Sequence, residues 1–232
     1  MKKIVNAVLI ALLIHGGSCF AVSYPSIQAM LEANYSRSDD SENPWHKDNS
    51  ESEMNNYSLC EKTQLPFSLS DILIIMCPDI ELATSLNEDI PTDIYWIRNT
   101  DSGINVISSV KNLGESYVGI IPISPKRWAI EVSSGSSSQG YLQEHHKLGL
   151  IDNDDFNIIA QWTAVMEDSN NSKFMKNTLS VETKKPLVNG FYPISIISDA
   201  KDGKNETKKN YELFFDEKNS TYKIPEELNA GY

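Results

Sequence analysis

The chain has 232 residues, 40% of them hydrophobic, with 20 Lys+Arg against 32 Asp+Glu and a formal net charge of −12. Such an excess of carboxylates is repelled by phosphate backbones and by anionic lipid, which excludes nucleic acid and membrane surfaces as natural partners. It leaves two readings: acidity that keeps the protein soluble, and acidity that matches a basic protein.

Residues 1–21 have the three parts of a secretory signal peptide. Lys2 and Lys3 open it, an apolar run of about eleven residues follows, and small or helix-breaking residues lead to Ala21. A membrane-spanning helix needs about twenty apolar residues, roughly twice this run. The expected destination is periplasmic or extracellular, with cleavage between Ser18 and Ser23. A lipoprotein signal acylated at Cys19 is the weaker alternative, because Gly16 stands where such signals carry a Leu-like residue. Without the leader lysines the net charge is −14. About 210 residues then hold one substantial core or two small ones.

Residues 22–37 read as a helix. Pro25 sits near its first turn, and Ile27, Met30, Leu31 and Tyr35 recur along one face. Residues 38–59 are mostly Ser, Asn, Asp and Glu, with Trp45 as the one bulky anchor. Too little apolar surface is present there to offset the ordering entropy, so a flexible acidic segment is expected. A tryptophan in such a segment either anchors a partner or, more commonly, tucks the loop onto the body.

The remainder, residues 60–232, is expected to be an α+β globular region: an antiparallel sheet with a few packed helices and one disulfide. In an oxidising compartment Cys60 and Cys77, the two cysteines outside the leader, pair as a disulfide. The apolar run from Ile72 to Cys77, with Ser70 as N-cap and Pro78 as stop, is read as a helix that Leu82 and Leu86 continue. A buried strand is the competing reading, because periodicity does not separate the two over so short a run.

From residue 91 the texture is β. Runs 94–98, 104–110, 117–123 and 127–132 are rich in β-branched and aromatic residues and are divided by turn residues, which predicts a meander. Pro122 marks an edge or a bulge in the third run. The Ser-rich stretch 133–140 reads as a mobile loop or a linker dividing the region. Residues 141–150 and 154–167 look helical, the second with Phe156, Ile159, Ala160, Val165 and Met166 roughly along one side. The C-terminal part returns to strands, with Asn189-Gly190 and Asp202-Gly203 as turn pairs. Helices followed by strands after residue 141 give this part a texture that resembles small cystatin-like or NTF2-like α+β domains. That likeness rests on no motif and implies no function. Gly119–Ser124 and Gly190–Ser195 share G-x-x-P-I-S, too short an echo to define a repeat.

The search for chemistry yields little. His145 and His146 are adjacent, whereas helical metal pairs are three or four residues apart. Asp152, Asn153, Asp154 and Asp155 open like a calcium loop but lack its sixth-position glycine and twelfth-position acid. No G-x-S-x-G elbow, G-x-G-x-x-G, Walker loop or H-E-x-x-H occurs, so no cofactor is expected. Five N-x-[ST] sequons (Asn34, Asn56, Asn170, Asn205, Asn219) are no more than an Asn- and Ser-rich chain carries by chance.

The leading expectation is therefore an exported, acidic, non-enzymatic protein that binds another protein, as an accessory factor or as an inhibitor that neutralises a basic partner, with Trp45, Trp96 and Trp128 as binding aromatics. Two alternatives stand beside it. One is a secreted hydrolase or toxin built on scattered acids with His145 and His146. The other is a small-ligand carrier with a pocket lined by Tyr95, Trp128, Phe191 or Tyr192.

Overall fold

The structure, a computed structural model, describes residues 22–39, 41–47, 54–79, 89–152 and 154–229. The expected leader, the middle of the acidic segment, Leu82, Leu86 and Asn153 lie outside these residues. In chain order the elements are β1 (Val22–Tyr24), α1 (Ile27–Asn34), β2 (Ser36–Arg37), β3 (Trp45–His46), β4 (Asn56–Gln64), β5 (Asp71–Pro78), β6 (Asp93–Thr100) and β7 (Gly103–Val110). These are followed by β8 (Ser116–Ser124), β9 (Arg127–Ser138), β10 (Tyr141–Asp152), β11 (Asp155–Asp168), β12 (Lys173–Val181), β13 (Ile194–Asp202), β14 (Asn205–Leu213), β15 (Phe215–Asp216) and β16 (Thr221–Tyr222).

The strands form two seven-stranded antiparallel sheets, ordered β1-β7-β6-β5-β4-β3-β2 and β14-β13-β12-β11-β10-β9-β8, with a small β15-β16 hairpin. This overturns the α+β expectation and, with it, the likeness to cystatin-like or NTF2-like domains. Among the described residues α1 is the one α-helix. It starts where Ser26 Oγ accepts from Ala29 N–H (3.1 Å) and ends at extended Tyr35.

Three apolar clusters set the layers. Met30, Leu31 and Tyr35 pack with Tyr57, Ile74, Met76, Tyr95 and Ile97 between α1 and one face of the first sheet. Leu73, Ile75 and Ile94 on the other face meet Trp128, Ile130, Val132 and Ile151 of the second sheet. The second sheet's remaining face covers Leu148, Trp162, Ile194 and Ile196, closed by Phe215, Tyr222 and Leu228 from the C-terminal segment. That sheet curls until Tyr192 N–H donates to Ile123 C=O (2.8 Å), joining the two halves of the G-x-x-P-I-S echo.

These layers explain the errors in the sequence reading. β5, expected to be a helix, lies inside the first sheet with alternate residues in two different cores, so its apolar run is unbroken. β10 and β11 were also expected to be helices. In β11 two register shifts leave Ile159 and Ala164 as extra residues opposite β10, so Ile159-Ala160 and Trp162-Thr163-Ala164 are buried in succession. Bulges of this kind erase the period of two and imitate a helical spacing. The Ser-rich stretch is also strand: residues 133–138 pair with 141–146 of β10, and hydrogen bonding to neighbours overrides weak β-propensity.

Cys60 and Cys77 form the expected disulfide, with Cα atoms 5.8 Å apart. Cys60 is the unpaired residue at the β4 register shift, and the bond closes β4 against β5. A disulfide of this kind belongs to an oxidising compartment. Among the described residues no helix is long and apolar enough to cross a membrane.

Candidate functional site

Of the three expected binding aromatics, Trp45 and Trp128 are buried and Trp96 is half-buried. Trp45 is buried against Tyr35 (ring centroids 6.3 Å apart) with the Arg37 guanidinium 4.0 Å from its ring centre, so it holds its segment onto the first sheet. Trp96 and Trp128 meet edge to face, 5.8 Å apart, between the sheets. The residues named for a carrier pocket are likewise dispersed: Tyr95, Trp128 and Phe191 belong to three different cores.

The two histidines part company, since neighbours on a strand face opposite ways. His145 lies near Thr163 Oγ1 (3.4 Å), and burial and the Lys147 charge lower its pKa. His146 lies between two carboxylates: Nδ1 is 2.6 Å from Glu131 Oε1 of β9, and Nε2 is 3.0 Å from Glu144 Oε1 of β10. Its ring packs 5.5 Å from Trp162. Burial pulls its pKa down, but the hydrogen bonds and charges of Glu131 and Glu144 outweigh this and raise it. A protonated imidazole donating from both nitrogens suits two carboxylate acceptors. With both nitrogens occupied, His146 has no free nitrogen to serve as a base. Among the described residues no group of three or more His, Cys, Asp or Glu is arranged to hold a metal ion.

A second polar cluster is built around fully buried Asp93 at the start of β6. Lys47 Nζ reaches both its oxygens (2.9 and 2.7 Å), Asn112 N–H donates at 2.8 Å, and the Tyr35 hydroxyl donates a short hydrogen bond. Burial, followed by the neighbouring Tyr95 hydroxyl and the Asp93 carboxylate, pushes the Tyr35 hydroxyl upward, which keeps it a donor. The arrangement ties together the end of α1, the acidic segment and the first sheet. Asp154, third in the run that opens like a calcium loop without completing one, accepts from Ser109 N–H (2.7 Å) and so joins the β10-β11 turn to β7.

Charge is distributed unevenly along the sequence. Residues 22–172, comprising the first sheet and β8 to β11, carry 8 Lys+Arg against 23 Asp+Glu, a net −15. Residues 173–232, from β12 onward, carry 10 against 9. Glu32, Asp39, Glu42, Asp89, Asp101 and Asp155 of the acidic part are exposed. Within that part, at the tip of the β4-β5 hairpin, Phe67 is 38% and Leu69 95% exposed. Leu65 N–H donating to Asp71 C=O (2.9 Å) and the Gln64 amide donating to Leu69 C=O (2.7 Å) fix this tip.

No family model, no curated protein and no solved structure matches this chain.

Proposed function

We propose that this is an exported, non-enzymatic binding protein whose acidic part engages a basic partner protein as an accessory or neutralising factor. The observation that carries the reading is the segregation of charge, net −15 over residues 22–172 against near neutrality beyond them. Acidity serving solubility alone has no need to be concentrated in one part of the chain; a complementary surface does. The fixed apolar tip at Phe67 and Leu69 adds an exposed apolar anchor to the acidic part of the chain.

The test is affinity capture from the source organism at low and high salt. A basic protein retained at low salt, released at high salt and lost with the Phe67→Asp/Leu69→Asp variant supports the proposal. Salt-insensitive capture of an acidic protein, or turnover of a hydrolase substrate abolished by Glu131→Gln, overturns it.

A further inference from the structure

We infer that this protein forms a two-fold dimer in which β14 pairs antiparallel with β14 of a second copy, so that the two second sheets run on as one. The inference concerns a surface outside the acidic part and stands independently of it.

β14 ends the second sheet and pairs on one side only. Its register with β13 runs unbroken from Ile194↔Leu213 to Asp202↔Asn205, it contains no proline, and residues 205–210 are all exposed. An edge without bulge or proline is open to a further strand. The hairpin closes with a two-residue turn, Gly203-Lys204, with φ +60° at Gly203. The pair flanking such a turn exchanges both backbone hydrogen bonds, so Asn205, Thr207 and Lys209 are bonded toward β13. The amides and carbonyls of Glu206, Lys208 and Asn210 point outward.

The charge pattern on this edge selects the occupant. Glu206 lies opposite Lys201 and Lys208 opposite Asp199, and both pairs close as ion pairs, at 3.4 and 3.2 Å. Charge therefore alternates along each strand as well as across the two. A two-fold axis at Thr207 sets Glu206 opposite Lys208 of the other copy, and Lys208 opposite its Glu206. Both residues face outward, so each such pair exchanges its backbone hydrogen bonds, with Cα atoms about 5.5 Å apart. A row across the join then reads Asp199, Lys208, Glu206, Lys201, and the row beside it reads the reverse. Every charge at the join has opposite charges as neighbours, both along its own strand and across to the next. On the other face Thr207 meets Thr207 at the axis, a favourable cross-strand pair, and Lys209 meets Asn205.

The same pattern disfavours the alternatives. Sliding one β14 by two residues keeps outward amides opposite each other but sets Glu206 on Glu206 or Lys208 on Lys208, and like charges directly opposite are destabilising. Larger slides bring in Glu212, which Lys185 already holds at 2.9 Å. A foreign strand has to bring the matching alternation in the right order, whereas a second copy carries it by symmetry. The other edges suit a partner poorly: β8 carries Pro122 and two register shifts, and β1 and β2 have three and two residues. β14 also lies in the part of the sequence whose charges balance, 10 Lys+Arg against 9 Asp+Glu over residues 173–232.

Sedimentation of the disulfide-bonded protein from micromolar to millimolar concentration tests this. A reversible monomer–dimer equilibrium is expected, a weak one because the join is short. The amides of Glu206 and Lys208 should exchange more slowly as concentration rises. Glu206→Lys and Lys208→Glu should each weaken the dimer on the order of tenfold, because either one turns both cross-copy pairs into like charges. An equimolar mixture of the two variants should associate again, since every opposed pair between them is of opposite sign. Lys208→Pro, which removes an outward amide and spares the β13 ladder, should abolish the dimer. A wild type that stays monomeric at millimolar concentration overturns the proposal. So does a dimer indifferent to Lys208→Pro, or a mixture of the charge variants no more associated than either alone.

Discussion

Replacing His146 with Gln should destabilise the protein in acid and have little effect in alkali. In the folded chain His146 donates to Glu131 at 2.6 Å with both side chains about five-sixths buried, and to Glu144 at 3.0 Å with Glu144 40% exposed. A hydrogen bond to a charged partner contributes about 1.5–3 kcal/mol, and the exposed Glu144 arm adds little to that after screening, so the loss is about 2 kcal/mol. The folded pKa of His146 is raised above its unfolded value. Its contribution is therefore complete below the ordinary histidine value of about 6.5 and disappears as pH rises through the folded pKa. His145, whose pKa is lowered, contributes with the opposite sign. The informative quantity is thus the difference between wild type and His146→Gln, from which His145 cancels. Urea unfolding of both proteins at pH 5.5 and pH 9, with the His146 ring titration followed by NMR, checks this. A pH-independent difference, or a His146 that titrates below free histidine, would refute the doubly bonded imidazolium.

Three further outcomes follow from the packing. Cys60→Ala/Cys77→Ala opens a 17-residue closure and should lower stability by about 3 kcal/mol, read as a lower urea midpoint. Gly149→Ala should cost about 1–3 kcal/mol, because a Cβ there falls 2.2 Å from the Phe156 ring; shortening Phe156 to Leu in the same chain should restore part of the loss, by thermal melting. Asp93→Asn leaves Lys47, 17% exposed, facing a neutral amide and should cost about 3 kcal/mol, and Lys47→Met in the same chain should recover part of it in a double-mutant cycle.

The sequence was most legible where local chemistry and tertiary context agree. The strands from Ile94 to Val132 announce themselves by β-branched residues between turn pairs. Asn189 and Gly190 adopt the positive φ values, 53° and 81°, that their identities favour. Legibility fails where a strand is buried on both sides, as in β5, or bulged, as in β11, because either circumstance removes the alternation on which a strand assignment rests. β10 shows a third cause: Gln, Glu, His and Lys have weak β preference, and the neighbours β9 and β11 decide its state. The polar site was half visible. The histidine pair stood out, but Glu131 reaches His146 from the neighbouring strand only because β9 and β10 pair in register, Glu131 opposite Leu148 and Ser133 opposite His146, and no spacing in the sequence encodes that. Asp93 gave no signal at all. Among many acids nothing marked it as the one to be buried under Lys47 and Tyr35.

Zero-length carbodiimide cross-linking in the source organism, read by mass spectrometry, bears most directly on the role of the acidic part. Partner lysines should be joined to carboxylates within residues 22–172, such as Glu32, Glu42, Asp89, Asp101 or Asp155, in a yield that falls as salt is raised. Links confined to partner carboxylates on the lysines of residues 173–209, unaffected by salt, would contradict a basic partner held by the acidic part.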